Sequence, residues 1–215
     1  MKMTGKFMLA SAIVVAGSGA AMAADLYTPP PPAPAAIAPA ATDWDGPYLG
    51  ASVGYGWATA TNNTVGDSTS VNGWLLGGQL GYNFHLGDTI VGGIEGDLNW
   101  NNQQGSFTGA AAGDSYNMRW DGSIRGRLGL DFDGVLPYAE AGLAFANADL
   151  VTPAAGTFNN THTGWTAGAG VEFKVSDPVS VNAEYRYSDY GDATYGGNSV
   201  HLNNNIVKLG VNYHF

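Results

Sequence analysis

The side chains of this 215-residue sequence that could do chemistry are few and unevenly spread. It has no cysteine, which removes disulfides, thiolate metal sites and thiol nucleophiles together. His85, His162, His201 and His214 stand in no Ser-His-acid arrangement, so acyl or peptide transfer has no candidate catalytic set. His162 and His201, with Tyr190 and Tyr195, are residue types that can ligate haem iron. They fall in segments read as loops, with no spacing that fixes a site, and ordinary polar loop residues is the plainer reading. Asp189 and Asp192 lie near each other without a calcium-loop pattern. The expectation is no catalytic residue, no metal and no cofactor.

What remains is a set of charges that recur at one parity of alternating segments. The basic members are Arg119, Arg125, Arg127, Lys174, Arg186 and Lys208; the acidic ones are Glu95, Asp97, Asp121, Glu140, Glu172 and Glu184. Gln79, Asn99, Asn182 and Asn212 share their parity. Opposite charges confined on one face are tolerated when paired, and losing one partner is costly. The chemistry offered is therefore ion pairing, either as a structural plug or as the wall of a narrow ion pathway.

The elements that must carry these charges are strands. Eight stretches alternate with period two, at about 47–57, 73–86, 89–100, 117–131, 136–147, 163–175, 179–189 and 203–215. In the second, Trp74, Leu76, Leu80, Tyr82, Phe84 and Leu86 share one parity, against Gly73, Gly77, Gln79, Gly81, Asn83 and His85. Gly87-Asp88, Asp133-Gly134 and Asp177-Pro178 are tight-turn signals. Between them lie Asn-, Gly- and Thr-rich segments at about 58–72, 101–116, 148–162 and 190–202, read as long loops. Short turns at one end and long connections at the other predict an all-β fold: an eight-stranded antiparallel up-and-down barrel with no free edge.

Which face points outward decides the solvent. A soluble barrel would enclose its apolar face around a ligand. Three features favour the inverse. Charged residues make up only 12% of the chain, and those of the strands fall on the polar parity. Glycine crowds that same parity, as a narrow interior requires and a water-facing strand does not. Aromatic residues gather at strand ends: Trp57, Trp74, Trp100, Trp120, Trp165 and Tyr187 beside the long segments, with Phe145, and Tyr82, Phe84, Phe173, Tyr213 and Phe215 toward the short turns. Two aromatic girdles with aliphatics between them are what the two interfaces of a bilayer select. This predicts a transmembrane barrel with short periplasmic turns, its outer face against outer-membrane lipid and lipopolysaccharide. The formal charge of −10 argues against a nucleic-acid partner.

Upstream, Lys2 and Lys6, an apolar run at 7–16 and Ala21-Met22-Ala23 form an export signal cleaved after Ala23. The apolar run is shorter than the ~20 residues of a spanning helix. Residues 27–41 hold six of the ten prolines and predict an extended spacer reaching on the order of 50 Å. The expected organisation is thus a signal peptide at 1–23, a Pro/Ala-rich periplasmic spacer at 24–43 and the barrel at 44–215.

Read in order, several short segments resemble the alphaproteobacterial small outer-membrane β-barrel family. These OmpA-like proteins are often labelled porin-family or outer-membrane immunogenic proteins. The segments are Trp44-x-Gly46-x-Tyr48-x-Gly50, GGQLGYN at 77–83, GIEGD at 93–97, IRGRLG at 124–129, GWTAGAGVE at 164–172, EYRYSDYG at 184–191 and KLGVNYHF at 208–215. The resemblance covers 44–215 and implies a structural, surface-antigen role in the cell outer membrane. It implies that the terminal Phe215 is the signal read by the barrel-assembly machinery, and that Ala24, followed by Asp25, is a peptidoglycan attachment point. No wall-binding domain of the OmpA kind is carried over. A monomer is expected, with a small porin or a surface haem-binding protein as the alternatives.

Overall fold

A computed structural model describes residues 44–215 apart from residues 110 and 154. The expected signal peptide, the Pro-rich spacer and Ala24 lie outside the described residues.

Period-two alternation becomes eight strands: β1 (Gly46–Asn62), β2 (Asp67–His85), β3 (Ile90–Ser106), β4 (Ser115–Leu130), β5 (Val135–Thr152), β6 (Gly156–Ser176), β7 (Val179–Tyr195) and β8 (Asn198–His214). Each pairs antiparallel with the next, and β8 returns to β1 to close the barrel. Closure satisfies every ladder without water, the condition for backbone in hydrocarbon. The tight turns stand where their residues predict: Asp133 and Gly134 both take the left-handed conformation, at φ 52° and 93°, between β4 and β5.

The strands run further than expected. Most of 58–72, 101–116, 148–162 and 190–202 is ladder, closed by connections at 63–66, 107–114, 153–155 and 196–197. The long excursions are therefore hairpins that continue the barrel beyond the upper aromatic girdle.

Along these extensions the two faces exchange polarity. In β1 the outward positions read Leu49, Ala51, Val53, Tyr55 and Trp57, then Thr59 and Thr61. The inward ones read Tyr48, Gly50, Ser52, Gly54 and Gly56, then Ala58 and Ala60. Inside the protruding end, Val71, Phe107, Tyr116, Met118, Leu150 and Leu202 join those alanines in a buried apolar cluster. Below the girdle the interior is polar and the exterior apolar, with Leu80, Ile94, Ile124 and Leu209 each about 60% exposed. Outward aromatics from Trp74 to Tyr82 span eight residues, about 20 Å of height once strand tilt is allowed for, close to the ~25 Å of an outer-membrane apolar band.

The ladder slips at Trp100/Gln103, Met118/Trp120 and Asp189/Asp192, all near the upper girdle, and at Lys174/Ser176 near the short turns. The bulge at Met118/Trp120 reverses the parity of β4 above it.

Candidate functional site: the ion-paired lumen

Eight strands enclose a bore only as wide as side chains can fill. Here the bore is filled in three tiers. The middle tier is built on cross-strand neighbours: Glu95 opposes Arg125, Arg127 opposes Glu140, and Glu184 opposes Lys208. Arg125 is the hub. Its guanidinium pairs with Glu95, lies 2.7 Å from Asp97 and puts Nε 3.0 Å from Glu140. Asp97 also receives Arg186 at 2.8 Å and Lys208 at 3.2 Å. Arg186 reaches Asp121 at 3.2 Å, and Asn99 donates to both Asp97 and Asp121. Lys208 is 3.4 Å from Glu184.

Nearer the short turns, Arg127 pairs with Glu172 and lies 3.8 Å over the Tyr138 ring. Glu172 accepts from Ser180 at 2.5 Å and from Asn212 at 2.8 Å, with His214 Nε2 at 3.3 Å. Tyr48 donates to Glu95 at 2.5 Å. All these side chains are buried. Tyr48 and Tyr138 had a sequence signal in their inward parity, but an aromatic inside a polar lumen is legible only beside the glycines that make room for it. A Cβ on Gly81 would lie 2.4 Å from the Tyr48 ring, and one on Gly170 would lie 2.5 Å from the Tyr138 hydroxyl.

Two of the expected lumen charges stand outside the middle tier. Arg119 is the bulged residue of β4, so its side chain leaves the interior; it is 64% exposed and pairs through Nε with Asp149 at 3.1 Å. Lys174 sits at the short-turn mouth, 3.6 Å from Asp177 and 5.1 Å from the centre of the Trp44 ring. The buried middle tier, among the described residues, therefore sets six carboxylates against four Arg and Lys side chains; the bulge that turns Arg119 outward, which leaves no parity signal, accounts for one missing cation and the place of Lys174 at the mouth for the other. Glu140 feels it most: Arg125 Nε faces one of its oxygens, and neither oxygen accepts a hydrogen bond. Glu95, Glu140 and Glu184 offer oxygens within 4.8 Å of one another, in the spacing of a metal site, but the Arg125 guanidinium already occupies their company.

The lower mouth is closed by Trp44, fully buried, its indole donating to Asp131 at 3.1 Å and packed edge-on to His214. The upper mouth is closed by the apolar cluster of the protruding end. The residues considered as loop haem ligands belong to that closure instead. His162, Tyr190 and Tyr195 are inward and buried, and His162 Nε2 lies 2.8 Å from the Tyr116 hydroxyl and 2.9 Å from that of Tyr195. His201 is separate, between Asp189 at 3.5 Å and Asp192 at 3.3 Å. No surface site collects them, because the segments that hold them are strands. Burial pulls His162 below the ordinary imidazole value and pushes Tyr195 up to about 12. The carboxylates of Asp189 and Asp192 are taken by Gly191 N–H and Asn63, respectively, as well as by His201.

Outside, Trp57, Trp74, Trp100, Trp120 and Trp165 are exposed at one level, with Tyr187 half-buried against Trp165. Tyr82, Phe84, Phe173, Tyr213 and Phe215 are exposed toward the other end. The sequence matches the family described as outer membrane protein beta-barrel domain over residues 11–215. The chain belongs to that family. Membership places this outer-membrane barrel protein in the cell outer membrane. It is 35% identical to the 25 kDa outer-membrane immunogenic protein of Brucella abortus, with all of both chains covered. It is 36% identical to a 22 kDa outer membrane protein of Rhizobium leguminosarum over 81% of this chain and 80% of that one. Among solved structures, Neisserial surface protein A shares the fold at TM-score 0.52 and 18% identity, covering 78% of this chain and 97% of that one.

Proposed function

We propose that this barrel is a structural, non-conducting component of the outer membrane, exposed as an antigen at its protruding end and tethered to peptidoglycan through Ala24. The observation that carries the reading is a lumen closed in three tiers, by Trp44, by the ion-paired network and by the apolar cluster. Full-length similarity to proteins named immunogenic supports the surface role. No constellation among the described residues supports catalysis. The Ala-Asp start left after cleavage and the long proline-rich spacer support the tether, since a wall-linked barrel needs reach.

Planar-bilayer recording of the purified protein tests the closure: steps no larger than small, brief flickers are expected, and stable open channels would refute it. Muramidase-digested sacculi should yield an Ala24 peptide bearing a murein remnant; free N-termini alone would remove the tether and leave the barrel reading intact. The excess of lumen carboxylates favours a second reading, a narrow cation pathway, which would appear in the same recording as a cation-selective current.

The barrel-assembly machinery is the further partner proposed. Phe215 stacks beside Tyr213, ring centres 5.1 Å apart, and its N–H donates to Pro47 across the closing seam. Phe215→Ala should lower the folded, heat-modifiable fraction in cells several-fold while leaving refolding of the purified chain in micelles nearly unchanged.

A further inference from the structure

The β4 bulge that ejects Arg119 also opens a groove of about 480 Å³ on the outer wall, across β3, β4 and β5. That volume falls within the ~300–1,000 Å³ of small-molecule sites. Its floor is the cross-strand pair Trp100 and Trp120, both exposed at the level of the upper girdle. Its upper edge carries Asn102, Asn117 and Arg119, so the groove straddles the boundary between the lipid-facing belt and the polar extension.

Two details make this more than a patch of girdle. Among the described residues Arg119 is the one exposed Arg or Lys side chain, in a groove otherwise lined by Trp100, Trp120, Met118 and amide side chains. Asp149, itself nearly buried, pairs with Nε at 3.1 Å, and among the described residues no ion pair engages the two terminal nitrogens of the guanidinium, which face outward for another acceptor. A guanidinium held this way presents a planar fork matched to a phosphate. Aromatic faces flanked by amide groups suit the other half of a ligand, a sugar ring with apolar and hydroxyl-bearing sides.

We propose that this groove binds the headgroup of an outer-leaflet glycolipid, a phosphorylated glucosamine disaccharide, with Trp100 and Trp120 under the sugar and upper acyl region and Arg119 on the phosphate. The depth fits, because the headgroup of such a lipid lies where the belt ends. The inference rests on the outer-membrane reading with the hairpins outward.

The test uses the mature chain refolded in dodecylmaltoside micelles and titrated with purified lipid A, the complex being counted by native mass spectrometry. A one-to-one adduct is expected, with affinity falling about tenfold in Arg119→Ala, for one charge-assisted contact, and at least as much in Trp120→Leu. Arg119→Lys, which keeps the charge and loses the fork, should fall between. Thr59→Ala, on the far wall, should match the wild type. Dephosphorylated lipid A should bind the wild type as weakly as lipid A binds Arg119→Ala, and phosphatidylglycerol, which has phosphate without the sugars, should bind it weakly too. Equal affinity of wild type and Arg119→Ala, or phosphatidylglycerol binding as tightly as lipid A, would overturn the site. Heat-modifiable mobility of each variant reports folding separately; failure of the wild type to show it would defeat the outer-membrane reading and not this site alone.

Discussion

At the scale of single residues, the lumen rewards pairing and penalises its loss. Arg125 touches Glu95, Asp97 and Glu140, so Arg125→Ala strands buried carboxylates without their counter-charge. A loss of about 3–5 kcal/mol is expected, against less than about 0.5 for Asp88→Ala in the exposed β2–β3 turn, read as urea midpoints in micelles. Glu140→Gln should behave oppositely to Arg125→Ala, staying near the wild type or above it, because it removes a negative charge from a tier that has too many. A large loss in Glu140→Gln would mean that its 3.0 Å ion pair with Arg125 Nε outweighs the repulsion from the neighbouring carboxylates. His162 supplies a pH dependence in the protruding end. It faces Tyr116 and Tyr195, with His201 and Asp192 acting on it more weakly, and its folded value lies below the ordinary ~6.5. The opened segment therefore takes up the proton first. The contribution of the neutral ring is whole above about pH 6.5 and shrinks as acid is added, by at most ~1.4 kcal/mol per pH unit. Amide exchange at 156–163, corrected for its intrinsic rate, should accelerate between about pH 7 and pH 5. In His162→Gln that acceleration should vanish. The inward parity of eleven of the twelve lumen charges was legible in the sequence, since alternation alone assigns a face. Arg119 was not: one bulged residue moves a side chain across the wall, and nothing in the composition of 117–121 marks it.

At the scale of the strand, the informative signal was a change of polarity along one parity. Eight strands and their tight turns were readable from alternation and turn chemistry. Their upper ends resemble loops in the sequence because Thr, Asn and Gly at outward positions look like connection residues when the inward alanines and valines are not counted with them. Ala58 and Ala60, or Ala148 and Leu150, keep period two through that region with the sense inverted. The same bookkeeping explains the inward glycines: they are the space into which Tyr48 and Tyr138 fit. Gly81→Ala should cost about 1–3 kcal/mol by driving the added methyl into Tyr48, whose ring and hydroxyl supply its three nearest atoms. Replacing that tyrosine as well, in Gly81→Ala/Tyr48→Leu, should bring the midpoint closer to that of Tyr48→Leu alone; additive losses would show that the ring is not what the methyl meets.

For the whole molecule, one set of strands serves two solvents. Below the upper girdle the barrel is greasy outside and ionic inside; above it the order is that of a water-soluble barrel. A charge placed on the lower outer wall, Ile124→Asp, should raise the cost of insertion by up to a few kcal/mol, whereas Thr59→Asp on the upper wall of β1, opposite the uncharged Ser70 and Asn203, should leave the folded fraction unchanged. Comparing heat-modifiable yields in vesicles would separate the two. Closure of the lumen belongs to this scale as well, since no single tier was visible from a motif and each depends on strands far apart in sequence. The inverted upper barrel also has an immunological consequence. Along the ladder of each hairpin an antibody reaching the cell meets every second residue, arranged side by side across neighbouring strands, while the intervening residues are locked inward; consecutive residues are offered only at tips such as 63–66 and 196–197. Epitopes there should be composite and lost on boiling, and sequence drift under immune pressure should alternate along a hairpin instead of arriving in blocks.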